Sequence, residues 1–160
     1  MKRLSIVHTE SSLDWADQQA RILAEAQGLI RRGHEVKLLC PSEARIHAEA
    51  ARRSVPAIAL PIARKRPLGI KVLYEWLKRN RCDVVCTHGS TDAWLAALAL
   101  LALGRPFPMV HAHPSSDLPP ANFATRWLYT RAAKRVVTHS DAPEQELAER
   151  MEKIYLQFRR

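Results

Sequence analysis

Apolar residues in this chain follow two alternating rhythms, short unbroken runs and longer stretches at helical spacing. Leu4–His8 is a short apolar run that ends in polar Thr9-Glu10-Ser11-Ser12, as a buried strand does. Ala16 to Arg32 follows, with Ala20, Leu23, Ala24, Ala26, Gln27 and Ile30 at helical spacing and Gly33 closing the helix. Val36–Cys40 predicts a second strand, stopped by Pro41. Ser42 is then expected to cap a helix through Arg53, with Glu43 in its first turn. Ala57–Leu60 predicts a third strand and Leu68–Asn80 a helix. The Val-rich run Asp83–Thr87 predicts a fourth strand. Ser90 or Thr91 caps an Ala- and Leu-rich helix to Leu103, ended by Gly104. Met109–His113 and Val136–His139 complete the strands, with a helix over Thr125–Ala133 between them. A last helix runs from Pro143 to Phe158.

Six strands, apolar on both faces and alternating with helices, specify a parallel sheet covered on two sides. The expected fold is a doubly wound, Rossmann-like α/β domain over residues 1–141. Residues 142–160 form a C-terminal helix that packs on it. Ligands of such sheets bind at the carboxyl ends of the strands. Chemistry is therefore sought in Thr9–Gln18, Pro41–Glu43, Pro61–Pro67, His88–Asp92, Pro114–Asn122 and Ser140–Glu144.

Charge sharpens this outline. The 160 residues carry a formal +9, and from Ala51 to Cys82 nine bases face the single acid Glu75, which places +8 of it there. Arg64, Lys65 and Arg66, with Lys71 nearby, are an electrostatic footprint for phosphates; the alternative is a solvated face that keeps the protein soluble. Nucleic acid is the weaker partner, because no aromatic residue adjoins Arg64-Lys65-Arg66 and no nucleic-acid-binding motif appears. Anionic lipid asks only for clustered positive charge near apolar side chains, which Leu68, Ile70, Leu73, Tyr74 and Trp76 supply. The three cysteines, Cys40, Cys82 and Cys86, form no Cys-X-X-Cys pair and read as reduced cytoplasmic thiols. The apolar start ends at His8, too soon for a signal peptide. Ala93–Leu103 falls far short of the roughly 20 residues that span a bilayer.

No Gly-X-Gly-X-X-Gly, P-loop or Gly-X-Ser-X-Gly motif is present. Of seven histidines only His111 and His113 lie close, on one face of a strand; such a pair is more often structural, and no metal is expected. His88, Ser90, Thr91 and Asp92 form a polar cluster where a helix begins, so free N–H groups there could take an anion or sugar hydroxyls. A plain N-cap is the alternative. His113 precedes Pro114-Ser115-Ser116-Asp117, which suits hydroxyl binding or a general base, or else a solvated loop histidine.

With these loops placed, several phrases together resemble the N-terminal, acceptor-binding half of a GT-B glycosyltransferase of the retaining family 4 kind. They are Ile6-Val7-His8-Thr9-Glu10, Gly28-Leu29-Ile30-Arg31-Arg32-Gly33-His34-Glu35-Val36 and Asp83-Val84-Val85-Cys86-Thr87-His88, then Ser90–Leu98, Thr125–Tyr129 and Val136–Ser140. The resemblance covers about residues 1–148. It implies a bacterial enzyme that transfers a hexosyl group from a nucleotide-sugar to a lipid-linked or polysaccharide acceptor, and that is cytoplasmic and peripheral at the inner membrane. His113 and Asp92 are then the catalytic candidates, and His88, Ser90, Thr91, Ser115 and Ser116 hold the acceptor. The basic block then corresponds to a membrane- or acceptor-facing patch.

Two departures follow from the same comparison. Where the family has adjacent glycines against the donor phosphates, this chain reads Asp14-Trp15-Ala16-Asp17-Gln18. Ala16 adds a Cβ and Asp17 a negative charge, which makes Trp15–Gln18 a degenerate donor loop. The donor-binding domain is also missing, and the closing segment resembles the family's final, returning helix. The chain is therefore expected to be an excised or engineered half, inactive alone and free of cofactor, with the nucleotide-sugar held only by a second domain in trans. Glu144 and Glu152, at the Glu-X7-Glu spacing of the family's donor site, read as coincidence on a solvated helix face. The rival reading is a non-catalytic Rossmann-like scaffold that self-associates, as a homodimer, or binds anionic membrane.

Overall fold

The computed structural model describes residues 2–114, 122–139 and 143–158, apart from the side chains of His113, Pro114, His139 and Glu144. Six strands form one sheet: β1 (Ser5–Thr9), β2 (Glu35–Cys40), β3 (Ala57–Ala59), β4 (Val84–Thr87), β5 (Met109–Pro114) and β6 (Arg135–His139). Their order is β3-β2-β1-β4-β5-β6 and every pairing is parallel. The winding reverses between β1 and β4, where His8 pairs with Cys86 and Thr9 with Thr87.

Alternation along the strands fills two cores. Ile6, Leu38, Val84, Cys86 and Val110 face α1 (Asp17–Arg31), α2 (Arg45–Arg52) and α6 (Glu144–Leu156). Val7, Leu39, Val85 and Met109 face the opposite layer, α3 (Pro67–Arg79), α4 (Ser90–Ala102) and a π-helical turn, Leu128–Ala132, that continues α5 (Phe123–Trp127). The predicted doubly wound, Rossmann-like fold is the observed one.

Helix starts are the main local corrections. The helix after β2 begins at Arg45 with Ala44 as N-cap; Ser42 instead donates its hydroxyl to Glu43 at 3.0 Å. The N-cap of α4 is Gly89, neither Ser90 nor Thr91. Asp92 at the third helical position accepts the Gly89 N–H at 3.0 Å, so the carboxylate takes over the capping that a hydroxyl would do. The helix expected at Thr125 starts at Phe123, where the Asn122 side chain accepts the Thr125 N–H at 2.8 Å.

The last helix lies along α1. Leu147, Ala148, Met151, Ile154 and Tyr155 are buried. Backbones approach so closely that a Cβ on Gly28 would stand 2.5 Å from the Ala148 Cβ. Glu152 is not on a solvated face. It is buried, accepts from Arg32 Nε at 2.6 Å and lies 2.7 Å from His34 Nε2. Burial alone would raise its pKa, but the hydrogen bonds from His34 and Arg32 outweigh that and lower it.

Candidate functional site

A cleft of about 560 Å³ opens at the carboxyl ends of β1 and β4, the reversal point of the sheet. Strand β1 ends at Thr9, and the chain turns outward through Glu10-Ser11-Ser12 to reach α1. Strand β4 ends at Thr87, and the turn His88-Gly89 starts α4. The two turns form facing walls, lined by Glu10, Ser11, Ser12, Leu13, Asp14, Gln18, Gln19, Gly89, Ser90 and Thr91, with Ala63 from the β3–α3 connection.

Glu10 organises the first wall. One oxygen accepts the Ser12 N–H at 2.9 Å; the other accepts the Gln18 amide at 2.8 Å and the Gln19 amide at 3.3 Å. Gln18 also donates to the His88 carbonyl at 3.3 Å, tying the walls together. Gln19 reaches back to the Ala16 N–H at 2.9 Å, half of a capping box, and so fixes where α1 begins.

Asp92 organises the second wall from beneath. It is fully buried and accepts four donors: Thr9 Oγ1 at 2.6 Å, Ser11 Oγ at 2.9 Å, Gly89 N at 3.0 Å and His88 N at 3.1 Å. Burial first, then the Glu10 charge, push its acid upward, against the pull of these donors. The amides of His88 and Gly89 are therefore occupied by the protein's own carboxylate. Part of the anion-binding capacity suggested by the sequence is taken up in this way.

Below the cleft a string of buried polar groups crosses the core. His88 Nε2 lies 2.8 Å from His8 Nδ1, with the rings stacked at 5.1 Å. His8 Nε2 is 3.8 Å from Glu25 Oε1, which accepts the Tyr155 hydroxyl at 2.8 Å. Burial raises Glu25 to about 7, although the Tyr155 bond lowers it. Among the described residues, His8, Cys86 and His88 have the composition of a metal site, their ligand atoms lying within 4.8 Å of one another. The His8 and His88 nitrogens stand at hydrogen-bonding distance from each other, so in this arrangement the two rings share a proton.

Of the residues singled out from sequence, Ser90, Thr91 and Gln18 line the cleft, while His88 and Asp92 lie buried under it. Ala16 and Asp17 form the start of α1, and Trp15 sits under the Arg53 guanidinium at 5.7 Å. His113 belongs to β5, and its side chain, like Ser115 and Ser116, lies outside the described residues. His111 is a packed histidine, 2.9 Å from Thr87 Oγ1 and edge-on to Tyr129. Arg64, Lys65, Arg66 and Lys71 are exposed on the β3–α3 side of the cleft, next to Ala63. Sequence reasoning missed Glu10, Gln19, His8 and Glu25. For Glu10 a signal existed, a lone acid directly after an apolar strand at the sheet's switch point.

The fold recurs in solved structures. MurG of Acinetobacter baumannii matches with a TM-score of 0.62 at 18% identity, over 89% of this chain and 43% of that one. A glycosyltransferase of Rickettsia africae ESF-5 matches at 0.67 and 16%, over 88% and 38%. Anabaena Alr3699/HepE in complex with UDP-glucose matches at 0.66 and 14%, over 98% and 41%. The chain thus spans about two fifths of the length of these structures. No curated protein matches it. The sequence pattern of Glycosyltransferase Family 4 matches residues 18–155, and this chain belongs to that family.

Proposed function

We propose that the cleft between β1 and β4 binds the acceptor of a sugar-transfer reaction, and that this chain supplies the acceptor-side half. The acceptor is a lipid-linked or polysaccharide hydroxyl, and the group transferred is a hexosyl from a nucleotide-sugar. One observation carries this reading. A cleft at the sheet's reversal point is walled by hydroxyls, amides and two carboxylates, Glu10 and Asp14, a mixture of donors and acceptors that suits sugar hydroxyls. The UDP-glucose bound to Alr3699/HepE supports a nucleotide-sugar as donor.

In this reading Ser90, Thr91, Ser12 and Gln18 meet the acceptor. Glu10 lines the cleft and orients Gln18. Asp92 is a positioning residue, since its oxygens hold Thr9, Ser11, His88 and Gly89 in place. His113 stands by its place on β5 as a candidate base. The start of α1 offers a donor diphosphate only Ala16 and the acidic Asp17, so the nucleotide is assigned to a second domain, further along the same polypeptide or in another chain.

Calorimetry tests this directly with an alkyl glucoside as acceptor mimic and with UDP- and GDP-sugars. The glucoside is expected to bind, Ser90→Ala with Thr91→Ala to weaken it about tenfold, and these residues alone to show no turnover. Nucleotide-sugar binding and turnover that ignore both substitutions would overturn the assignment. The scaffold reading keeps one observation of its own, the exposed Leu68 (55%) beside Arg64-Lys65-Arg66. It predicts that no sugar binds in any arm.

A further inference from the structure

At the opposite end of the sheet, beneath the amino ends of β4 and β5, lies a second and larger cleft of about 1150 Å³. Typical small-molecule sites hold about 300–1000 Å³, so it is roomy enough for a ligand. Its floor is apolar: Leu77, Leu100 and Met109 are buried and Leu103 and Phe107 half-buried. Its rim is basic: Lys78, Arg81, Arg105, Arg131 and Lys134, all exposed. They come from three separate segments of the chain, and among the described residues none of them is in a salt bridge.

A plain alternative is that these cations serve helix carboxyl ends, since α3, α4 and the π-helical turn all finish here. The magnitudes decide against it. Three helix ends bring roughly −0.5 each, whereas five cations less the single acid Asp83 leave +4. Asp83 is moreover engaged, accepting the Ser5 N–H at 2.7 Å. Arg105 is held with φ of 55°, in the left-handed region that side chains disfavour, and its guanidinium points at the Arg131 carbonyl, 3.4 Å away. Five cations on the rim of an apolar floor, with one engaged acid among them, favour an anion there.

We propose that this cleft is a binding site for an amphipathic anion, a molecule with an apolar chain or ring body and a phosphate or carboxylate head. The body lies on Leu77, Leu100, Leu103 and Phe107, and the head meets Arg81, Arg105 and Arg131. The site is separate from the sugar cleft, with the length of α3, about 20 Å, between them.

Dodecyl phosphate, kept below its micelle concentration, is the probe. Dodecyl maltoside supplies the same tail with a neutral head, and inorganic phosphate the head alone. Calorimetry should show one site per chain for dodecyl phosphate, at least about tenfold tighter than either control. Arg81→Gln with Arg131→Gln should weaken it about tenfold or more, with Arg105→Gln plus Lys134→Gln as an independent pair. Lys65→Gln with Arg66→Gln, at the other end of the molecule, should leave it unchanged. All these side chains are exposed, and circular dichroism confirms that each variant is folded. Equal binding of the neutral amphiphile, equal binding of phosphate alone, no binding at all, or loss only in the Lys65/Arg66 variant would each overturn the proposal.

Discussion

Glu25 shows how one side chain can hold a large share of this protein's pH response. It is fully buried between α1 and the sheet, facing His8, Tyr155 and Cys86. Burial raises its pKa from 4.5 to about 7, so the folded state binds that proton more tightly than the unfolded chain does. Its contribution is undiminished below about pH 4.5, falls as pH rises toward 7 and then levels. The total is roughly 3 kcal/mol, since each tenfold change in proton affinity is worth about 1.4 kcal/mol. Glu25→Gln keeps the shape and removes the titration. Urea unfolding at pH 5 and pH 8 should show the wild type losing roughly 3 kcal/mol more than the variant between the two. Parallel profiles would refute this account. Such a glutamate is hard to read from sequence, since a carboxylate on an amphipathic helix is normally solvated; here the partner that makes burial tolerable, Tyr155, stands 130 positions away.

Among the elements, α6 depends most on fine fit. It lies on α1 through Gly28 and Ala148, and its far end is held by Glu152 against Arg32 and His34. Neither backbone can yield locally, because the clash from a new Cβ would fall on another Cβ rather than on a flexible tip. Gly28→Ala gains helix propensity of about 1 kcal/mol, but with two Cβ atoms at 2.5 Å the overpacking falls in the upper part of its usual range, about 2–3 kcal/mol. The expected result is a net loss of about 1–2 kcal/mol in chemical denaturation, with Leu156 and Phe158 released first in hydrogen exchange. A variant as stable as the wild type would mean that α6 can shift without penalty. The spacing of Leu147, Met151, Ile154 and Tyr155 shows in the sequence that one face is apolar. It does not show which helix that face meets, because Gly28 reveals nothing until Ala148 is opposite it.

Across the whole molecule, charge is the property most rearranged by folding. The contiguous block Ala51–Cys82 reads along the chain as one basic footprint. Folding divides it by the length of α3: Arg64, Lys65, Arg66 and Lys71 stand near the sugar cleft, while Lys78 and Arg81 join Arg105, Arg131 and Lys134 at the far end. No helix among the described residues is long and apolar enough to cross a membrane. Each base near an anionic bilayer is worth about 1 kcal/mol. Replacing Arg64, Lys65 and Arg66 by Gln should therefore weaken co-sedimentation with anionic vesicles about a hundredfold at low salt, and neutral vesicles should bind neither protein. Equal sedimentation of wild type and variant would remove the membrane role.

Hydrophobic rhythm alone sufficed for the six strands, their parallel sheet and the cleft at its carboxyl ends, because burial on two faces demands near-continuous apolar strands at short range. The family resemblance was likewise legible, in phrases such as Gly33-His34-Glu35-Val36 that keep their neighbours in the chain. Helix starts, the buried roles of Glu25, Asp92 and Glu152, and the division of the charge were decided only in three dimensions. Each depends on partners distant in sequence: Thr9 for Asp92, Tyr155 for Glu25, His34 for Glu152. Local pattern carries burial and periodicity, whereas the protonation and capping of a polar group depend on which donors the fold brings to it.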